Sequence, residues 1–194
     1  ERRPWQGEEM DETRWPALPV ADWQDTRDTL HLWTQMVGKL RLELTPRVNH
    51  WWNVPLYVDA RGLTTSLMPC GAHGLEVRFD FFAHDLVFER TDGARRTIAL
   101  RPRSVADFFR EFVSVLADLD VPARIHPMPV EIADAIPFPD DETHASYDAD
   151  AVHRFWLSLV AAVRVLSVFR GEWDGKASPV HFFWGAFDLA TSRF

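Results

Sequence analysis

His73-Gly74-Leu75-Glu76-Val77-Arg78-Phe79-Asp80-Phe81-Phe82 alternates apolar and charged residues from Leu75 to Phe81. Successive side chains of a strand point to opposite faces, so this register sends Leu75, Val77, Phe79 and Phe81 into a core. Glu76, Arg78 and Asp80 fall on the other face. The stretch reads as a strand over 73–82 in a sheet with one buried face. Working outward, strands are expected at 52–59 and 62–67 before it, and at 85–90 and 95–100 after it. Ala83-His84-Asp85 and Asp92-Gly93 are turn signals between neighbours. Connections this short join antiparallel strands, so the sheet is expected to be a meander.

Three helical stripes flank these strands. Asp22 reads as an N-cap, followed by Trp23, Leu30, Trp33, Val37, Leu40 and Leu44 at helical spacing over 23–43. Gly38 interrupts that stripe and marks a place where a neighbour approaches closely. Ser104, with Asp107 three residues on, resembles a capping box for a helix bearing Val105, Phe108, Phe109, Phe112, Val115, Leu116 and Leu119. Asp148 caps a third helix over 149–170, with Val152, Phe155, Trp156, Leu159, Val163 and Leu166 as its stripe. Between the last two helices, 125–136 is punctuated by proline and reads as an extended edge segment. Asp140 to His144 reads as an exposed acidic stretch. The expected fold class is α+β: an antiparallel sheet with helices packed mainly on one face.

The chain has 194 residues, 46% of them hydrophobic, so it can bury a sizeable core without disulfides or metal. Its formal charge is 21 − 29 = −8, which offers no concentrated positive field for nucleic acid. Cys70 is the one cysteine, which precludes an intrachain disulfide and a cysteine zinc cluster. Unbroken apolar runs of membrane-spanning length and signal-peptide patterning are both lacking, so a cytoplasmic domain with no membrane partner is expected.

Two segments stand out as an echo. Asn49-His50-Trp51-Trp52-Asn53-Val54-Pro55-Leu56-Tyr57-Val58 and His181-Phe182-Phe183-Trp184-Gly185-Ala186-Phe187-Asp188-Leu189 both read His, two aromatics, three spacers, then two apolar residues one apart. Each follows a helical stripe carrying a histidine, His31 in the first and His153 in the second. This is an internal pseudo-repeat with its second copy truncated, or the chance likeness of two amphipathic helix–strand units. Residues 1–14, polar and without periodicity, read as a disordered extension, and 15–136 as a first α+β lobe. Residues 137–147 then form an acidic loop, and 148–194 the helix and strand of an incomplete second repeat. The chain would then be a fragment, and paired strands would bring His50 and His181 near each other.

These motifs resemble a bacterial family of uncharacterised proteins, a domain of unknown function. The residues that carry the likeness are Leu30-His31-Leu32-Trp33-Thr34-Gln35, the segment from Asn49 to Tyr57, Arg101-Pro102-Arg103-Ser104-Val105-Ala106-Asp107-Phe108, and Ser178-Pro179-Val180-His181-Phe182-Phe183-Trp184-Gly185. The likeness runs from about Trp15 to Phe194. It implies a chain that continues past Phe194, and it transfers no catalytic role to any residue.

The candidate chemistry is therefore read from residue types. His31, His50, His153 and His181 are the histidines the echo selects, and a divalent metal takes three or four such ligands. Tight ligand spacing such as HxH or HExxH is lacking, so the metal signal is weak, and the alternative is histidines bonded to backbone carbonyls at strand and helix ends. Arg101 and Arg103 precede a Ser-capped helix, where free amides and guanidinium groups suit a carboxylate or phosphate. Trp51, Trp52, Phe182, Phe183 and Trp184 would alternate faces on strands, and His50, Trp52, His181 and Trp184 would line a ligand site. Two function classes follow. One is a small-molecule-binding protein or enzyme with its site between the His-aromatic strands. The other is a non-catalytic structural or protein-interaction domain with the aromatics as core. A cavity at His50, His181 and the arginines would favour the first; a filled core with carbonyl-bonded histidines, the second.

Overall fold

The computed structural model describes residues 15–194; the expected disordered extension lies outside the described residues. Six strands form an antiparallel sheet around the alternating stretch. They are β1 (Tyr57–Val58), β2 (Gly62–Thr64), β3 (Met68–Cys70), β4 (His73–Asp80), β5 (Asp85–Arg90) and β6 (Arg95–Ala99). The order is β1-β2-β4-β5-β6, with β3 also paired to β4. Leu63 lies opposite Phe79, Met68 opposite Leu75, and Val77 opposite Phe88. On the core face Leu75, Val77, Phe79 and Phe81 are fully buried. On the other face Thr64 donates to Glu76, and Arg78 bridges to Glu89. Asp80 departs from the expected outward pattern. It is buried, and Arg61 holds it through two hydrogen bonds of 2.5 and 3.0 Å.

The three helices are α1 (Val20–Leu44), α2 (Val105–Asp118) and α3 (Ala149–Gly171). Leu30, Trp33, Val37 and Leu40 of α1 are completely buried, and Trp33 stacks on Phe108 of α2 at 4.4 Å. Trp23 meets Phe155 of α3 at 5.1 Å. The caps read at Ser104 and Asp148 form: the side chains accept from the Asp107 and Ala151 amides. The cap read at Asp22 does not. α1 starts at Val20 after Pro19, and Asp22 lies in its first turn.

The first aromatic segment is not a strand over 52–59. Asn49–Trp51 is a 3-10 turn, and ladder pairing begins only at Tyr57. His50 and Trp51 take left-handed backbone, φ 57° and 59°, and Pro55 has no amide to donate to a ladder. The strand read over 62–67 likewise breaks at Ser66, φ 54°, and restarts as β3. The second aromatic segment forms a hairpin, β7 (His181–Phe183) with β8 (Asp188–Ala190). An antiparallel bridge between Leu56 and Phe182 joins that hairpin to the sheet beside β1.

The proline-punctuated stretch over 125–136 forms no strand. The stretch from Asp140 to His144 is not wholly exposed either. Asp141 is buried, and its carboxylate accepts from the Thr143 and His144 amides and pairs with the His144 ring. An acidic residue of the loop is thus the organiser of a turn.

Candidate functional site

α1 places His31 and Gln35 one turn apart on one face, and together they tie down two remote segments. His31 Nε2 lies 2.8 Å from the Gly185 carbonyl. The Gln35 amide closes a two-point clamp on Val130, donating to its carbonyl and accepting from its amide, both at 2.8 Å. Burial lowers the His31 pKa, against the opposing pull of the Gly185 and Trp184 backbone. A neutral ring held by a carbonyl is a structural tie.

His181 is buried, and its Nδ1 lies 2.7 Å from the Pro179 carbonyl. His153 Nδ1 lies 3.3 Å from the Phe81 carbonyl. Trp184 is buried against Gly38 and donates its indole N–H to the Val54 carbonyl at 2.9 Å. Three of the four selected histidines thus have a carbonyl partner, each a different one. Among the described residues no three His, Cys, Asp or Glu side chains converge to hold a metal ion.

His50 is the exception. It lies exposed in its left-handed turn, stacked on Trp52 at 5.1 Å and tilted against Phe194 at 4.8 Å. The Lys176 ammonium is 3.1 Å from its Nε2 and sits over both other rings, at 5.5 and 5.1 Å. The three rings form a shallow cationic cage that the chain's own lysine fills.

The start of α2 is closed to an anion. The Val105 and Ala106 amides donate to the His144 and Asp141 carbonyls, and the Asp107 amide to Ser104 Oγ. Arg103 is largely buried and pairs with Asp107 and Glu111 on the same helix. Arg101 is exposed. Arg103 and the first amides of α2 are thus engaged within the fold, and Arg101 is turned to solvent.

One polar cluster escaped the sequence reading. His84 Nδ1 lies 2.8 Å from the Tyr147 hydroxyl, beside His153 and the edge of Phe82. Burial, then the neighbouring His153, lowers the His84 pKa; burial raises that of Tyr147. The sequence marks His84 only as part of a turn, where it takes a left-handed φ of 53°. No spacing rule connects a hairpin residue to a tyrosine in a distant loop.

No curated protein and no solved structure matches the chain. A family model described as a family of unknown function matches residues 15–194, the whole described domain. The chain therefore belongs to that family, DUF5996.

Proposed function

We propose that this domain is a non-catalytic protein-interaction module that pairs with a second copy of itself through β8 and the distal half of α3. One observation carries the reading: an open sheet edge and a partly exposed apolar helix end, where Arg193 lies over the Phe169 ring, fall at the same end of the fold. Residues 188–194 pair on one side with 176–183, through His181 opposite Ala190 and Ala177 opposite Arg193. On the other side no strand among the described residues pairs with them. Unpaired edges of this kind template strand addition.

α3 contacts β8 and supplies the apolar half. Its proximal residues Val152, Phe155, Trp156 and Leu159 are core. Its distal residues are not: Val165 is 55% exposed, and Val168, Phe169 and the following Trp173 are 40–43% exposed. The helix is apolar enough to cross a membrane by length and composition, with mean hydropathy 1.5 over an 18-residue window. Arg154 and Arg164 interrupt that stretch, and the buried proximal half anchors it to the sheet. A two-fold axis through the edge would set the two β8 strands antiparallel and bring the two α3 faces together.

Sedimentation velocity on the full chain tests this. A dimer at micromolar concentration is expected, with Val168→Asp monomeric and its far-ultraviolet circular dichroism unchanged. A monomer at every concentration overturns the reading.

A second reading, a ligand site between the two aromatic segments, rests on the cage of His50, Trp52 and Phe194. Its ligand would be a small organic cation taking the place of Lys176. Its support is thinner, because His181 and Trp184 are turned into the core. Tryptophan fluorescence of Lys176→Ala titrated with choline tests it; an unchanged spectrum removes it.

A further inference from the structure

We infer that the groove between α2 and the strap over 121–127 binds a free medium-chain fatty acid, or a similar amphipathic monocarboxylate, with its carboxylate at Arg124. The groove encloses about 500 Å³ and is open along one side. Phe108, Phe112 and Val115 of α2 enter the core. Phe109, Val113 and Ala117 line the groove, together with Leu116, which is also buried in the core. These lie at spacings of four, three and one, a continuous stripe along the helix. From Phe109 to Ala117 the helix rises about 12 Å. An extended medium-chain acyl group spans that length.

The opposite wall is the strap. Val121, Ile125, Pro127 and Pro139 line the same groove. Val121 is fastened to α2 by its amide, which donates to the Leu116 carbonyl at 2.9 Å. The Pro127 carbonyl accepts from the Phe138 amide at 2.8 Å. The wall is therefore held at both ends.

Arg124 is the one charged residue lining the groove, and it makes no hydrogen bond or ion pair with other described residues. Nearly every other arginine described here is matched to a carboxylate, a carbonyl or a ring. A guanidinium beside an apolar trough matches a ligand with one carboxylate and a long apolar body. A ligand of several negative charges would meet a single cation on a chain of net charge −8, a poor match.

This site is independent of the proposed pairing surface. α2 contacts β6, at the far end of the sheet from β8.

The test is calorimetric titration of the full chain with decanoate below its micelle concentration, with decanol as the neutral control. Saturable binding of one decanoate per chain is expected, tighter than decanol. Arg124→Gln should weaken decanoate about tenfold or more and leave decanol unchanged, the loss of one charge-assisted pair. Ala117→Trp, at an exposed helix position, should fill the trough and abolish both while leaving circular dichroism unchanged. Binding that survives Ala117→Trp, binding indifferent to Arg124, or no saturable heat would each overturn the assignment. Val168→Asp, designed to break the dimer, should still bind decanoate, which separates failure here from failure of the pairing surface.

Discussion

Leu56 and Phe182 exchange both of their backbone hydrogen bonds, amide to carbonyl, at 2.9 and 2.8 Å. That one bridge joins the two aromatic segments. It also turns the late hairpin into an extension of the sheet built by the first half of the chain. Phe182 is completely buried there, as is Leu56. The bridge sets the position of Trp184, two residues on, and with it the packing on α1.

Gly38 is where that packing is tightest. A Cβ added at Gly38 would fall 2.2 Å from the Trp184 ring. Gly38→Ala gains about 1 kcal/mol of helix propensity but forces the indole off its seat and its bond to Val54. A net loss of about 2 kcal/mol is expected in urea unfolding. A gain in stability would mean that the indole does not lie on α1.

Gln35→Leu should act locally as well as globally. It keeps the volume and removes both halves of the clamp on Val130, at a cost of about 1–2 kcal/mol. Amide exchange is expected to rise over 128–132 and to stay unchanged in β4. Equal protection in both proteins would show that residues 128–132 are held by something else.

The histidines predict a pH dependence. Burial lowers the pKa of His31, and burial with His153 nearby lowers that of His84. The unfolded chain then binds protons just below pH 6.5 that the folded chain refuses, so stability falls as pH drops from 6.5 through the folded values. Replacing both, His31→Gln and His84→Asn, should flatten that slope in thermal melts between neutral and mildly acidic pH. A slope unchanged by the pair would assign it to other groups.

Asp80 predicts a second, more acidic limb. Burial pushes its carboxyl up, but Arg61 and the amides of Ala83 and Phe82 outweigh that and hold it below 3.8. Its contribution is therefore present above that value and fades as pH falls through the folded pKa. Asp80→Asn should remove this part of the acid limb and lower stability at neutral pH, read by melts from neutral to strongly acidic buffer. An identical acid limb in the variant would place the titration elsewhere.

The fold was legible where one rule governs many residues. The period-two stretch at Leu75 to Phe81 located the sheet and its core face, and the helical stripes located α1, α2 and α3. Ser104 and Asp148 announced their caps because a cap is a local event. The misses are places where single backbone torsions decide. His50, Trp51 and Ser66 turn left-handed, and none carries a sequence mark for it. Asp141 was taken as surface because charge suggested exposure, whereas the local turn and the start of α2 absorb it. For the candidate site, His31 and Gln35 were correctly placed on one face, but their partners, Gly185 and Val130, lie in distant segments that no spacing connects. The groove is invisible for a related reason: Phe109 and Leu116 do pack on the core as their stripe indicates, and only the path of the strap shows that they also border a groove.

The bridge at Leu56 also bears on how the chain is made. A ribosome releases β1 to β6 long before Phe182, so during synthesis β1 waits as an unpaired edge and Gly38 lies bare without its indole cover. The nascent domain is therefore most prone to wrong strand pairing in that interval. Its closure is set by the arrival of the hairpin that carries Phe182 and not by the formation of the sheet.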